Sequence, residues 1–267
     1  MKIAILYITL GRYDVFFKGF YESAHKKLFL GHEKHFFIFT DSLKINSMKN
    51  SDITVIKQEK MGWPFDTLMR FKMFESIEDK LKNFDYIFFF NSNIVFIRPV
   101  KEEIFPGTEN GGIAASIFYM KNQDEYTYDR NPESNAYIPY GKGKAYYQGG
   151  LNGGTAADYL QMIKTVRKWV DEDVEKKIFA KWNDESYINK YLLDKNPLII
   201  NRNYMFPQEW RMKDCPGKLI AMLRDKSNPF YGGTKWLRGD TNVKDSLFKA
   251  LLKKPFWFLK ILIKYFM

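Results

Sequence analysis

Apolar residues occur along this chain in short, nearly unbroken runs, and polar clusters punctuate them. The stretches 2–9, 35–40, 53–56 and 84–90 each read as a strand, the first in the core and the last buried. Between and after them apolar residues recur at helical spacing, over Val15–Leu28, Thr67–Leu81 and Ala156–Val170, and again from Asp184 to Leu193. Strands alternating with helices predict an α/β architecture, Rossmann-like, with a mostly parallel central sheet and right-handed crossovers. The run Phe84–Phe90 stops abruptly at Asn91-Ser92-Asn93, and a second apolar run, Ile94-Val95-Phe96, follows. A buried strand thus delivers a polar turn at its carboxyl end, where ligands collect in open α/β sheets. A plain strand-ending turn would look the same.

The middle of the chain is less regular. Tyr126–Pro139 carries turn chemistry throughout and leads into the basic, glycine-containing Tyr140–Lys144, predicting a surface loop that can move. In Tyr147-Gln148-Gly149-Gly150-Leu151-Asn152-Gly153-Gly154, paired glycines allow close approach by a ligand. Asp184 and Glu185 stand beside Trp182 at the entry to a helical pattern. Acidic residues there suit the helix dipole, with Asp184 a plausible N-cap. Alternatively, a carboxylate next to an aromatic wall suits glycosyl chemistry.

Composition narrows the class. At 267 residues and 45% apolar, the chain can bury the core of one large domain, assigned to 1–240, with a tail over 241–267. One cysteine excludes an internal disulfide framework, and three histidines with that cysteine leave too few ligands for zinc. The N-terminal apolar run is too short for a membrane span and lacks a cleavage site, so a cytoplasmic protein is expected. A net charge of +11 calls for an anionic partner. Six lysines against Asp245 place +5 of it within residues 243–267, on helical spacing among Leu, Ile, Phe and Trp. Such a basic amphipathic tail suits an anionic membrane surface, hence a peripheral position at the inner face of the cell membrane. Its plain alternative is a helix packed on the domain. Nucleic acid is not expected, because no aromatic-basic recognition motif appears.

Several stretches carry a collinear resemblance. Asn183–Leu193, Ala24–His32, Phe39-Thr40-Asp41, Thr127–Pro139 and Tyr146–Thr155 resemble segments of the family 6 retaining glycosyltransferases, which include the blood-group A and B transferases. The resemblance covers roughly residues 1–230. It implies a single nucleotide-sugar-binding domain of GT-A type that moves GalNAc or Gal from a UDP-sugar to a galactoside through an α1,3 linkage. The acceptor would be the fucosylated galactose of an H-type glycan, on an oligosaccharide or lipid-linked glycan. Glu185 would be catalytic, as nucleophile or as stabiliser of an oxocarbenium-like state. Leu10, Tyr13, Gln148, Gly149, Gly150 and Asp184 would meet the donor, and Thr127 and Trp182 the acceptor. Animal members hold Mn²⁺ at an Asp-X-Asp whose equivalents here are Asn91 and Asn93. Neutral amides ligate hard cations weakly, so the resemblance points to the family's metal-free bacterial members, with no metal and no cofactor. Asn91 and Asn93 would then meet the donor by hydrogen bonds alone. Lys226 would face the diphosphate, with Arg224, Lys235 and Arg238 as further candidates. The missing side chains at Gly149 and Gly150 would leave room for an acetamido group, favouring UDP-GalNAc over UDP-Gal. Two departures bear on the acceptor. Phe71 stands where the family has an arginine, and Pro207 where animal members place an acceptor-contacting Asp.

Overall fold

The structure is a computed structural model that describes residues 1–48, 50–118 and 122–245. Among the described residues ten strands are formed: β1 (Lys2–Thr9), β2 (Glu33–Thr40), β3 (Ile53–Lys57), β4 (Tyr86–Phe90), β5 (Ile94–Phe96), β6 (Ile113–Ile117), β7 (Tyr147–Thr155), β8 (Leu198–Ile200), β9 (Phe206–Pro207) and β10 (Ala221–Leu223). Seven make one sheet in the order β3-β2-β1-β4-β7-β6-β8, and β5, β10 and β9 make a second, small sheet. In the large sheet β7 is antiparallel to both neighbours and every other pairing is parallel. The mixed α/β architecture with a mostly parallel sheet is therefore as the sequence predicts.

The near-continuous apolar runs follow from burial on both faces. Ala4, Leu6, Phe37, Phe39, Ile87 and Phe89 point into one core, and Ile3, Ile5, Phe36, Ile38, Phe88 and Phe90 into the other. Period-two alternation divides two apolar sets between two layers, so neither face of these strands needs polar residues. Among the described residues, the helices whose side chains pair across the fold include α1 (Phe17–Lys27), α2 (Arg70–Glu75), α3 (Ala156–Glu175) and α4 (Asp184–Leu192). The Thr155 side chain caps α3 by accepting from the Asp158 amide at 3.3 Å.

Several expectations change. The helix predicted over Thr67–Leu81 is three pieces, Phe65–Leu68, α2 and Glu78–Leu81. At the second break the Ser76 hydroxyl donates to the Met73 carbonyl at 2.6 Å, a back-bond that competes with the helix ladder. The helix predicted from Val15 begins as a 3₁₀ turn over Tyr13–Phe16. Asp184 is not an N-cap: Asn183 takes that position, and Asp184 is the first helical residue. The middle segment expected as a loop that can move is irregular, and its turn at Ser134-Asn135 is anchored to α3. Asp173 on α3, fully buried, accepts from the Ser134 hydroxyl at 2.7 Å, from the Asn135 amide and from the Tyr187 hydroxyl at 2.9 Å. Most of the basic tail, residues 246–267, lies outside the described residues. Among the described residues no helix is long and apolar enough to cross a membrane.

Candidate active site

Strand register builds the site. Parallel pairing of Ile3–Leu6 with Tyr86–Phe89 brings the carboxyl ends of β1 and β4 side by side. Antiparallel β7 then lays its opening residues against the end of β4, with Phe90 opposite Leu151 and the Asn91 amide donating to the Gly150 carbonyl at 2.8 Å. A cleft of about 340 Å³ opens there. Leu10, Tyr13, Asn91, Gly149, Gly150, Trp182, Asp184, Glu185 and Lys226 line it, residues drawn from both halves of the chain.

Three expected site residues sit outside the lining. The Asn93 side chain is buried and its NH2 donates to the Arg224 carbonyl at 2.6 Å, while the Asn93 main-chain carbonyl accepts from the Arg224 amide at 2.9 Å. Its NH2 is thus committed to backbone, its side-chain oxygen is buried without a partner, and the residue is not part of the cleft lining. Gln148 donates to the Ile117 carbonyl at 2.8 Å, and Thr127 hydrogen-bonds with the Tyr146 hydroxyl. Of the further candidates for the diphosphate, Arg238 lines the cleft, whereas the Arg224 guanidinium packs against Gly19 on α1.

The two carboxylates are held differently. Asp184 is 2% exposed and pairs with Arg70 at 2.5 Å. Burial pushes its carboxyl up to about 6, against the downward pull of the Arg70 guanidinium. Glu185 accepts from the Gly149 amide at 2.6 Å through Oε2 and from the Tyr146 hydroxyl at 2.8 Å through Oε1. Burial raises it too, and those two donors with Arg70 offset part of the rise. The pair is aimed by its entry turn. Asn183 has φ +50° and ψ −130°, and the Glu185 amide closes onto the Trp182 carbonyl at 3.1 Å. This backbone is strained for any residue but glycine, and it sets α4 with its first carboxylate inward.

Arg70 is not among the sequence-predicted site residues, because the resemblance aligns the family arginine with its neighbour Phe71. It lies 4% exposed on α2, with its guanidinium 4.4 Å from the Phe89 ring centre. A charged residue inside the apolar window Leu68-Met69-Arg70-Phe71 is the signal that could have found it. The structure also qualifies the steric reading of the two glycines. A Cβ at Gly150 would lie 2.3 Å from the Met205 methyl carbon, and one at Gly149 would press on Arg70, Asp184 and Glu185 at 3.3–3.4 Å. A side chain at either position would displace Met205 or press on the Arg70–Asp184–Glu185 group, so these glycines bear on packing as well as on the room left for a sugar.

The opposite wall is basic. Burial, with the Arg238 charge nearby, brings the Lys226 ammonium down to about 8, and it stands 5.4 Å from the Tyr13 ring centre. Arg238 stacks on Trp63 at 3.8 Å and hydrogen-bonds Tyr13. Gly11 makes this wall possible. Its φ is +65°, and a Cβ there would meet the Leu237 carbonyl at 2.9 Å, where the C-terminal segment crosses.

A cleft lined both by buried acids and by the cations Lys226 and Arg238 suits a substrate with a sugar at one end and phosphate at the other. The family model for Glycosyltransferase family 6 matches residues 1–227. The chain belongs to glycosyltransferase family 6. Among family 6 relatives, the O-antigen biosynthesis glycosyltransferase WbnI of Escherichia coli is 34% identical over 237 residues, 88% of this chain and all of that protein. The histo-blood group ABO system transferase 2 of Rattus norvegicus is 27% identical over 78% of this chain. The globoside alpha-1,3-N-acetylgalactosaminyltransferase 1 of Gallus gallus is 25% identical over 74%. The chain spans 64% and 59% of the length of these last two.

The Mn²⁺ held by animal family 6 enzymes does not fit this turn. Hard cations take anionic oxygens. Asn91 offers a neutral amide, and Asn93 is turned onto Arg224. Among the described residues no group of three or more His, Cys, Asp or Glu side chains is gathered.

Proposed function

We propose that this chain is a retaining, metal-independent α1,3-glycosyltransferase of GT-A type. It moves GalNAc from UDP-GalNAc to the galactose of a fucosylated, H-type glycan. The observation that carries this reading is the carboxylate Glu185, held by two donors at the floor of a cleft whose far wall carries Lys226 and Arg238. With the diphosphate on the cationic wall and the sugar over Gly149 and Gly150, Glu185 lies below the anomeric carbon. There it takes up the positive charge that develops as the leaving group departs, either by bonding to the carbon or by facing it as an ion pair. Asp184, ion-paired to Arg70, is placed for donor hydroxyls, and Trp182, 49% exposed at the rim, for the apolar face of an acceptor sugar. Lys226 and Arg238 neutralise the departing diphosphate by charge-assisted hydrogen bonds. The globoside relative's name carries α1,3-N-acetylgalactosaminyl transfer and the WbnI name O-antigen assembly, both consistent with a glycan acceptor.

The test is mass spectrometry of the product from a fucosylated galactoside, with UDP-GalNAc and UDP-Gal side by side and EDTA present. One added GalNAc in α1,3 linkage is the expected result. A preference for UDP-Gal overturns the donor assignment, a strict need for added Mn²⁺ overturns metal independence, and neither transfer nor UDP-sugar hydrolysis would leave a glycan-binding relative without activity.

A further inference from the structure

Glu185 takes its orientation from a residue that the resemblance leaves without a role. Tyr146, 3% exposed, donates its hydroxyl to Oε1 at 2.8 Å and is itself hydrogen-bonded to the Thr127 hydroxyl. Its ring is packed at 5.6 Å against Tyr128, whose own hydroxyl donates to the Ala145 carbonyl at 2.7 Å. The backbone around it is fixed to the catalytic helix. Asn189, on the face of α4 one turn beyond Glu185, accepts from the Tyr147 amide at 2.9 Å and donates to both the Tyr147 and the Glu185 carbonyls at 2.9 Å. Burial and the neighbouring Glu185 push the Tyr146 hydroxyl far above its ordinary range, so it stays protonated and can only donate to the carboxylate.

We infer that Tyr146 is a positioning residue for Glu185: braced by Thr127 and by the Asn189 bridge, its hydroxyl fixes one carboxylate oxygen while the Gly149 amide fixes the other. The inference rests on the catalytic role proposed for Glu185. A carboxylate gripped at both oxygens cannot rotate, and its charge is held where the anomeric carbon will sit. The charged and titratable groups facing it are Asp184 from its own helix, Arg70 from α2 and Tyr146 from the strand side. Without the Tyr146 hydroxyl, a mostly buried carboxylate keeps one donor, and its ionised form is less favoured.

The experiment compares pH–rate profiles of the full chain, Tyr146→Phe and Glu185→Gln with the same donor and acceptor. Tyr146→Phe is expected to lower kcat roughly 10- to 100-fold, the loss of one hydrogen bond to a charged group. Donor KM should stay within about twofold, and the acid limb of kcat/KM should move up by about one pH unit. A limb that stays at the wild-type position overturns the inference, and so does a rise in acceptor KM alone, which would make Tyr146 an acceptor contact. Should Tyr146→Phe fail to fold by circular dichroism, Thr127→Val, which keeps both Tyr146 and Glu185, is read the same way. An upward shift supports the relay and none overturns it. Glu185→Gln separates the two levels. If it is inactive while Tyr146→Phe keeps its limb, only Tyr146 is misassigned; if it turns over at the wild-type rate, the role of Glu185 itself falls.

Discussion

Replacing Arg70 with methionine should destabilise the protein by an amount that depends on pH, and the buried pair shows how much. Asp184 rises from 3.8 to about 6 on folding. At 1.36 kcal/mol per unit this withdraws about 3 kcal/mol of stability at neutral pH. The sign follows from the proton count. Between 3.8 and about 6 the folded chain holds the Asp184 proton and the unfolded chain does not, so stability falls as pH rises through that window and levels off above it. Arg70→Met removes the guanidinium that limits the rise, and Asp184 escapes the cost of an unpaired buried charge by protonating. That escape sets a ceiling of about 5.7 kcal/mol at pH 8 and about 2.3 kcal/mol at pH 5.5, the cost of protonating a group of ordinary value 3.8. Less the cost already carried by the native pair, the charge-dependent loss is up to about 3 kcal/mol at pH 8 and only a few tenths at pH 5.5. Loss of the guanidinium's stacking on the Phe89 ring adds a pH-independent offset. Urea unfolding followed by circular dichroism at both pH values measures the difference. A wild-type-minus-variant gap that is the same at pH 5.5 and 8 would refute the reasoning.

Lys226 offers a second pH signature: it is charged below about 8, so UDP affinity measured by calorimetry should weaken as pH rises from 7 to 9. Lys226→Met should bind UDP roughly 10-fold or more weakly and lose that pH step. Asp173→Ala strands the Ser134, Asn135 and Tyr187 donors in the interior, and at about 1–3 kcal/mol for each unsatisfied group and about 2 °C per kcal/mol the melting temperature should drop by roughly 6–18 °C. At Asn183, glycine should fold at least as stably as asparagine, whereas valine should cost about 1–3 kcal/mol by thermal unfolding, because φ +50° crowds a β-branched side chain.

The N-terminal half of the fold was readable from sequence because its strands are pure apolar runs and its turns are polar. β7 was not, since four glycines in nine residues erase any periodicity. Two of those glycines are packing requirements: a Cβ at Gly153 would lie 2.3 Å from the Phe88 ring, and one at Gly154 would lie 2.2 Å from the Gly112 carbonyl. β8, β9 and β10, of three, two and three residues, are held by partners distant in sequence and carry no local signal. The site divides the same way. Glu185, Asp184 and Lys226 were visible as motif residues. Arg70 and Tyr146 matter through pairings with partners 114 and 39 positions away, and no local window contains such a pair.

The polar turn after β4 also has a mechanical reading. Asn93 and Arg224 exchange two hydrogen bonds across 131 positions, and Lys226 lies two residues beyond that clasp. The turn therefore works as a strut: it carries no charge to the cleft, but it fixes how far into the cleft an ammonium can reach. A side chain at 93 that shortened or lengthened this strut would be felt as a displaced cation on the far wall, with the turn itself left intact.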